Sequence, residues 1–552
     1  MRTAADSRRF SSVGARVARA RRDRGMTQRD LAGALGVPVW TVDLIETGAS
    51  DGTRYIGVIA DVTQRQPEWF VRSAGPRAFP ASAADADTRD TGELARNLVL
   101  GSIALLVTIR FFTEVIPVVP RAANFVDIPI FVILVVAASR LPRASVRHPG
   151  YLALAFPAAL FLALALASAV VNGSRAAPAP VVVFIYGFLG PVAVFASVYR
   201  LWPPGNARAL SRLLIALGLA QLAVVVLIDL PHFVASGNNP DVISGTFGSN
   251  AYQLVFFLLV IATLLAGIFT VEPRRSVARF APVLLLAIFG TILLAQYRAL
   301  LATTVITIVV VALMLGRRAR GLVIASTSIV AFFAAFSYVA SNFPLLKLDV
   351  TATTLTNNPA SYVRERVKVA GIVERLYTDD PFAAVIGTGP GTFSSRAWQT
   401  FSNAGSSSGS NVQGGYATAL TGGVYETDVS TRYVRSQLSQ GPIIEGSGAV
   451  RSPYSSYIAL LAEVGVFGFM LVVGIYGAVV ARAARVSSAL LRNPSPDDSL
   501  PSLALATTIA FLTLVQMAFL ENWFEVTRIT FVAWAMLAVV LKELGTRSPA
   551  RT

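Results

Sequence analysis

Residues 452–473 read "SPYSSYIALLAEVGVFGFMLVV", a hydroxyl-rich opening that gives way to a long apolar run carrying one carboxylate, Glu463, near its start. An apolar stretch of about 20 residues is long enough to cross a bilayer as an α-helix. The same pattern recurs from residue 97 onward, at 97–118, 123–140, 150–171, 181–200, 210–231, 250–270, 278–296, 299–316, 321–340, 453–481, 501–520 and 524–542. The sequence therefore predicts an all-α, polytopic membrane protein of about twelve transmembrane helices.

Composition agrees. The 552 residues are 54% hydrophobic and 14% charged, too apolar for a soluble chain of several domains. The net charge of +16 would suit nucleic acid, but its location gives another reading. "SRLPRASVRH" (139–148), "YRLWPPGNARALSR" (199–212), "EPRRSVARF" (272–280), "GRRARG" (316–321), "RAARVSSALLR" (482–492) and "KELGTRSPART" (542–552) all fall on the side of the N-terminus. Short cytoplasmic loops collect Lys and Arg, so both termini are expected in the cytoplasm, with no cleavable signal in the charged first 95 residues. The chain has no cysteine and two histidines, His148 and His232, which excludes disulfides, thiolate metal sites and a His-based metal centre. Neither a metal nor a cofactor is expected.

Five segments follow: a helical domain over 1–70, a linker over 71–96, nine spans over 97–340, a large extracytoplasmic loop over 341–452, and three spans with a tail over 453–552. In the first segment, helical spacing, a break at Gly25, a Thr27 cap, a short helix ending near Gly36 and another from Pro38 predict consecutive short helices with tight turns. This pattern resembles a cro-type helix-turn-helix, on Gln28, "LAGALGV" (31–37) and "IETG" (45–48). The resemblance implies that Gln28, Val39, Trp40 and Thr41 face base edges and that arginines such as Arg29 lie on phosphates. Because "PVWTVD" (38–43) is poor in base-reading side chains, a module that binds a cytoplasmic protein stands beside the DNA reading.

The long loop is the exceptional connection. Its first half, "ASYVRERVKVAGIVERLYTDDPFAAVIG" (360–387), has helical periodicity, and "NAGSSSGSNVQGGYATALTGG" (403–423) is polar and Gly/Ser-rich. Loops of this length are usually functional. Charges at a membrane edge are informative because a charge in hydrocarbon costs about 3 kcal/mol on insertion scales. Arg298, in "LLAQYRALLATT" (293–304), is either a turn arginine or a guanidinium fork for a phosphate. Arg364 and Arg366 lie two apart and so point to different helix faces, while Arg110 and Glu114, four apart, read as a structural intramembrane pair. "VIGTGPGTF" (385–393) permits tight turns but lacks the Lys of a nucleotide P-loop.

In their order these motifs resemble the O-antigen ligase and O-antigen polymerase family of bacterial membrane glycosyltransferases. The resemblance is carried by "SAVVNG" (168–173), "GTFGSNAYQL" (245–254), "QYRALLATT" (296–304), "YVRERV" (362–367), "GTGPGTF" (387–393) and "PYSSYIALLAEVGVFG" (453–468), and covers residues 97–543. It implies a GT-C-like bundle in the bacterial cytoplasmic membrane. It also implies a polyprenyl-diphosphate-linked glycan as donor, and transfer without metal or nucleotide sugar to a glycan or other surface acceptor. Carried over to this chain, Arg298, Arg364 and Glu463 would be catalytic, with Arg366, Arg451, Tyr454, Ser455, Ser456, Tyr457, Gly389 and Gly391 binding substrate. Two departures stand out. Tyr454 and Ser455 occupy the place of a usual His-Asn pair, and the arginine before "GTFGN" is replaced by Asp241 and Val242. Tyrosine, with an ordinary pKa of about 10, is a poor base near neutrality, so a carboxylate such as Glu463, Glu445 or Glu426 must serve, or the chain is a degenerate member. Glu463 also fits a purely structural helix-end role. A different class, a membrane-tethered DNA-binding regulator or scaffold, is the alternative; a transporter would show more midplane ions.

Overall fold

The computed structural model describes residues 13–46, 55–65, 70, 83–141, 149–173, 175–236, 242–248, 250–272, 276–295, 298–315, 370–402, 425–435, 455–492, 494 and 499–547. The chain divides into two compact units, Met1–Leu94 and Ala95–Thr552.

Among the described residues of the first unit four short helices follow one another: α1 (Val13–Asp23), α2 (Gln28–Leu35), α3 (Val39–Glu46) and α4 (Ile56–Thr63). Thr27 starts α2 through a reciprocal capping box with Asp30, and Gly36, left-handed at φ 63°, ends it. Val17, Ala20, Leu31, Val42, Ile45 and Ile59 form the core. Arg21 ties α1 to α3 through its Nε, 2.6 Å from Glu46 Oε1.

The second unit is all-helical among the described residues. It contains the part of α5 (Ala83–Arg110) beyond Leu94 and the long helices α6 (Asp127–Ser139), α7 (Pro149–Val171), α8 (Pro178–Leu201), α9 (Ala207–Val224), α10 (Ala251–Val271), α11 (Ser276–Leu294) and α12 (Arg298–Leu315). Within the large loop lies α13 (Arg396–Phe401), and after it come α14 (Ser456–Arg492), α15 (Leu500–Leu520) and α16 (Thr527–Arg547). Among the described residues ten helices are long and apolar enough to cross a bilayer. This is a multi-pass membrane protein. The expected ninth span, 321–340, lies outside the described residues.

Burial divides the helices into two kinds. α10 is apolar all round and 94% of its membrane window is buried, so it forms the centre of the bundle. The window on α7 is only 17% buried, and Phe156, Leu160, Leu166 and Val170 point outward, as lipid-facing residues do.

Polar side chains fasten the bundle at its two ends. At one end Glu543 accepts hydrogen bonds from Trp202 Nε1 (3.1 Å) and from the backbone N–H groups of Gly205 (2.7 Å) and Asn206 (2.8 Å). Ser502 donates to Glu272 at 2.8 Å in the same rim. At the other end Thr527 donates to Asp127 (2.8 Å), and the loop meets the bundle where the Arg396 N–H reaches Glu525 (2.9 Å). The second rim carries the large loop.

Candidate functional site

The segment "VIGTGPGTFSSRAW" (385–398) passes from a glycine-rich turn into α13. Gly387, Gly389 and Gly391 have φ of 77°, 105° and 74°. At Gly391 the requirement is twofold, since a Cβ would also come within 2.6 Å of Pro180 Cβ. The turn aims successive backbone N–H groups at one point, making a nest for an anion. The anion is internal: Glu463 accepts from Gly391 (2.5 Å), Phe393 (3.0 Å), Ser394 (3.0 Å) and Ser395 (2.9 Å). Ala462 O receives the Thr388 N–H, and Glu463 O receives the Gly389 N–H and the Ser168 hydroxyl. Asn172 donates to Gly387 O, so "SAVVNG" braces the turn from α7.

This geometry corrects the expectation that Glu463 is catalytic. Its side chain is fully buried and both oxygens are held by backbone donors, leaving no lone pair directed at a substrate. Gly389 and Gly391 likewise pack on Ala176 and Pro180, which accounts for them as turn residues and not as substrate contacts. Ser455, Ser456 and Tyr457, expected on substrate, face inward. Ser455 donates to Ala518 O (3.0 Å), Ser456 Oγ accepts the Phe524 N–H (3.1 Å), and Tyr457 donates to Val515 O (2.7 Å). They fasten α14 to α15 and its following turn. Arg364, Arg366, Arg451, Tyr454 and Glu445 lie outside the described residues. Arg298 is the first residue of α12, whose Thr303 hydroxyl meets Met517 Sδ one turn before Glu521. Glu426 is exposed beside a polar cleft of about 670 Å³ that Arg175, Tyr425 and Asp428 also line.

What the pinned turn delivers is Arg396, which follows Ser395 directly. Its Nε donates to Asn522 O (3.1 Å), its Nη2 to the Tyr252 hydroxyl (3.3 Å), and its backbone N–H to Glu525 Oε2 (2.9 Å). Tyr252 lies at the start of α10, within the electrostatic reach of Arg110 as well as Arg396. Arg528, nine-tenths buried at the start of α16, donates to Asn124 O and is acted on by the charges of Arg110, Glu114, Asp127 and Tyr252. Arg110 and Glu114 do pair, at 3.6 Å, and Asn124 Nδ2 donates to the same Glu114 oxygen (2.9 Å). The structural pair expected from the sequence is thus one part of a larger assembly in which Arg110, Arg396 and Arg528 gather round Tyr252.

The assembly is rich in unfilled valences. Arg110 Nε, Arg528 Nη1, Gln253 Oε1, Asn522 Oδ1 and Glu525 Oε1 are buried without a hydrogen-bond partner in the structure. Each such atom is costly unless something completes it, about 1–3 kcal/mol for a neutral group and more for a charged one. Burial pushes the Glu525 carboxyl up to about 8; the charge of Glu463 adds to this and Arg396 opposes it.

Arg396, Arg528, Tyr252, Asn522 and Glu525 were not legible as site residues, though signals existed. An arginine follows the glycine turn directly, and "ENWFEVTR" (521–528) packs two carboxylates, an amide and an arginine between two spans. In the first unit, Gln28 Nε2 donates to Glu46 Oε2 (3.0 Å) and contacts Asp43 (3.4 Å), and Thr41 is buried. Neither side chain projects as base reading requires. Val39, Trp40 and Arg29 are exposed.

No protein-family model matches the chain, and no curated protein matches it. Its function is therefore read from the site itself.

Proposed function

We propose that the protein is a membrane glycosyltransferase of the polymerase or ligase kind, transferring glycan from a polyprenyl-diphosphate-linked donor for cell-surface polysaccharide. The observation that carries this reading is the gathering of Arg110, Arg396 and Arg528 round Tyr252 at the end of the bundle that bears the large loop. Guanidinium N–H groups suit phosphate oxygens, and burial strengthens their field. Two of these arginines keep an N–H without a hydrogen bond, Arg528 Nη1 and Arg110 Nε, the latter ion-paired with Glu114 at 3.6 Å.

Cleavage of a glycosyl–diphosphate bond expels a leaving group that is already stable as an anion, so fixed cations supply the main stabilisation and no metal is needed. Arg298 and Arg364, singled out in the sequence, remain candidates for the same diphosphate. The arginine-rich turns belong to the opposite, Glu543 end, which the positive-inside rule assigns to the cytoplasm. The site then faces outward from the bacterial cytoplasmic membrane, where a polyprenyl-linked donor would meet a surface acceptor.

The test is binding of undecaprenyl diphosphate to the full-length protein in nanodiscs, with undecaprenol as control. Preference for the diphosphate by at least tenfold, reduced by Arg528→Ala and Arg396→Ala, supports the reading. Equal binding of both lipids by the unmodified protein refutes it. In cells, deletion of the gene is expected to shorten or detach surface polysaccharide, with no rescue by either variant.

A further inference from the structure

The arginines account for only part of the unsatisfied chemistry at this rim. Alongside the two guanidinium donors stand three acceptors, Gln253 Oε1, Asn522 Oδ1 and Glu525 Oε1, all on residues at least nine-tenths buried. A bare phosphate, which at neutral pH is chiefly an acceptor, would complete the donors and be repelled by the acceptors. A ligand that brings hydroxyl groups next to anionic oxygens completes both.

We propose that Glu525 is the proton acceptor of the transfer, and that Asn522 and Gln253 hold hydroxyls of the sugars brought together there. This rests on the glycosyltransferase reading above. The chain offers a carboxylate where a base is wanted. Arg396, which steadies Glu525 Oε2 through its backbone N–H, also carries the guanidinium that reaches Tyr252. Glu525 and the leaving-group cations are therefore joined through one residue, as a displacement with its nucleophile and leaving group on the same carbon requires.

The neighbours of Glu525 fit this role. Arg396 faces it from α13 and the charge of Glu463 acts on it from α14, while α8 presents Gly187, where a Cβ would come within 3.2 Å of Glu525 Cγ. Glu463 is saturated by its four backbone donors, whereas Glu525 keeps a buried oxygen, Oε1, without a hydrogen-bond partner. A carboxyl whose protonation changes near the working pH is the effective kind of general base.

In the step, an acceptor hydroxyl oxygen attacks the anomeric carbon of the donor. The new C–O glycosidic bond forms as the bond from that carbon to the diphosphate breaks. The hydroxyl proton passes to Glu525 Oε1, and the bonding pair leaves with the diphosphate, whose charge Arg110, Arg396 and Arg528 balance. No oxidant, reductant or metal enters.

The experiment uses full-length protein with Glu525→Gln and Glu525→Asp, read in two ways. Undecaprenyl diphosphate binding in nanodiscs is expected within about twofold of the unmodified protein for both variants. Complementation of the gene deletion is expected to give no polysaccharide product with Glu525→Gln and a reduced but measurable amount with Glu525→Asp. Product at the unmodified level with Glu525→Gln overturns the proposal while leaving the glycosyltransferase reading intact; failure of the unmodified protein to bind the diphosphate refutes that reading instead. If Glu525→Gln does not fold, difference infrared spectra of the unmodified and Glu525→Asp proteins in nanodiscs decide. A protonated-carboxyl band that titrates near neutrality and moves with the substitution supports the proposal, and a band constant from pH 5 to 9 overturns it.

Discussion

Glu463 Oε2 accepts the N–H of Gly391 at 2.5 Å, a bond that joins positions 72 residues apart and fixes the large loop to the tenth predicted span. Three further N–H groups, from Phe393, Ser394 and Ser395, converge on the other oxygen. The carboxylate thus sets where Arg396 begins. Glu463→Ala would leave four buried backbone donors without an acceptor, and each such donor costs about 1–3 kcal/mol. Glu463→Gln keeps one carbonyl oxygen but turns an N–H toward donors, so it is expected to be nearly as damaging. Thermal unfolding in detergent should show a clear drop for both, together with weaker undecaprenyl diphosphate binding. An unchanged midpoint would mean that the nest does not hold the loop.

Gly391 tests the same joint from the other side. At φ 74° an alanine is strained, and its Cβ would come within 2.6 Å of Pro180 Cβ on α8. The backbone strain is worth about 1–3 kcal/mol and the overpacking a similar amount. Gly391→Ala should lower the unfolding midpoint, whereas Gly290→Ala, where a Cβ meets open space, should leave it nearly unchanged. Equal effects of the two substitutions would show that the turn tolerates displacement.

The membrane helices were legible because their signal is additive: about twenty apolar residues in a row identify a span whatever surrounds them. The caps at Thr27 and Gly36 were legible for a similar local reason. The candidate site was not, because its residues come from four places in the chain that only packing brings together. Arg110, Tyr252, Arg396, Glu525 and Arg528 are separated by more than a hundred residues at the widest steps, and each taken alone reads as a helix-end or loop residue. The hydroxyls of "SPYSSY" misled for the converse reason. Ser and Tyr at a helix start suit sugar, but they suit the bare carbonyls of a neighbouring helix equally, and Ala518 O and Val515 O received them.

Glu525 makes stability depend on pH in a definite direction. Its carboxyl is raised by burial from the ordinary range to about 8. A group bound more tightly by its proton when folded contributes stability that is complete below its unfolded pKa and is lost as pH rises through the folded value. The unfolding midpoint of the full-length protein is therefore expected to fall as pH rises from the ordinary carboxylate range to about 8, and to level off above that. Glu525→Gln, which stays neutral throughout, should flatten that slope. A slope unchanged by the substitution would assign the pH dependence to other groups.

In the first unit, Arg21 and Glu46 form the ion pair that Gln28 joins, with side chains only 13% and 7% exposed. The three residues link α1, α2 and α3, so the amide that a DNA reader would turn to base edges is spent on internal order. Arg21→Ala would leave Glu46 buried without its cation, a loss of about 3–5 kcal/mol. Limited proteolysis of the full-length protein should then cut within residues 13–65 faster by at least tenfold, while the membrane helices stay protected. Gln28→Ala removes only neutral donors and is expected to leave retention on a DNA column unchanged. A marked loss of DNA retention with Gln28→Ala, at unchanged proteolysis, would mean that Gln28 leaves Glu46 to contact a base and would restore the regulator reading for this unit.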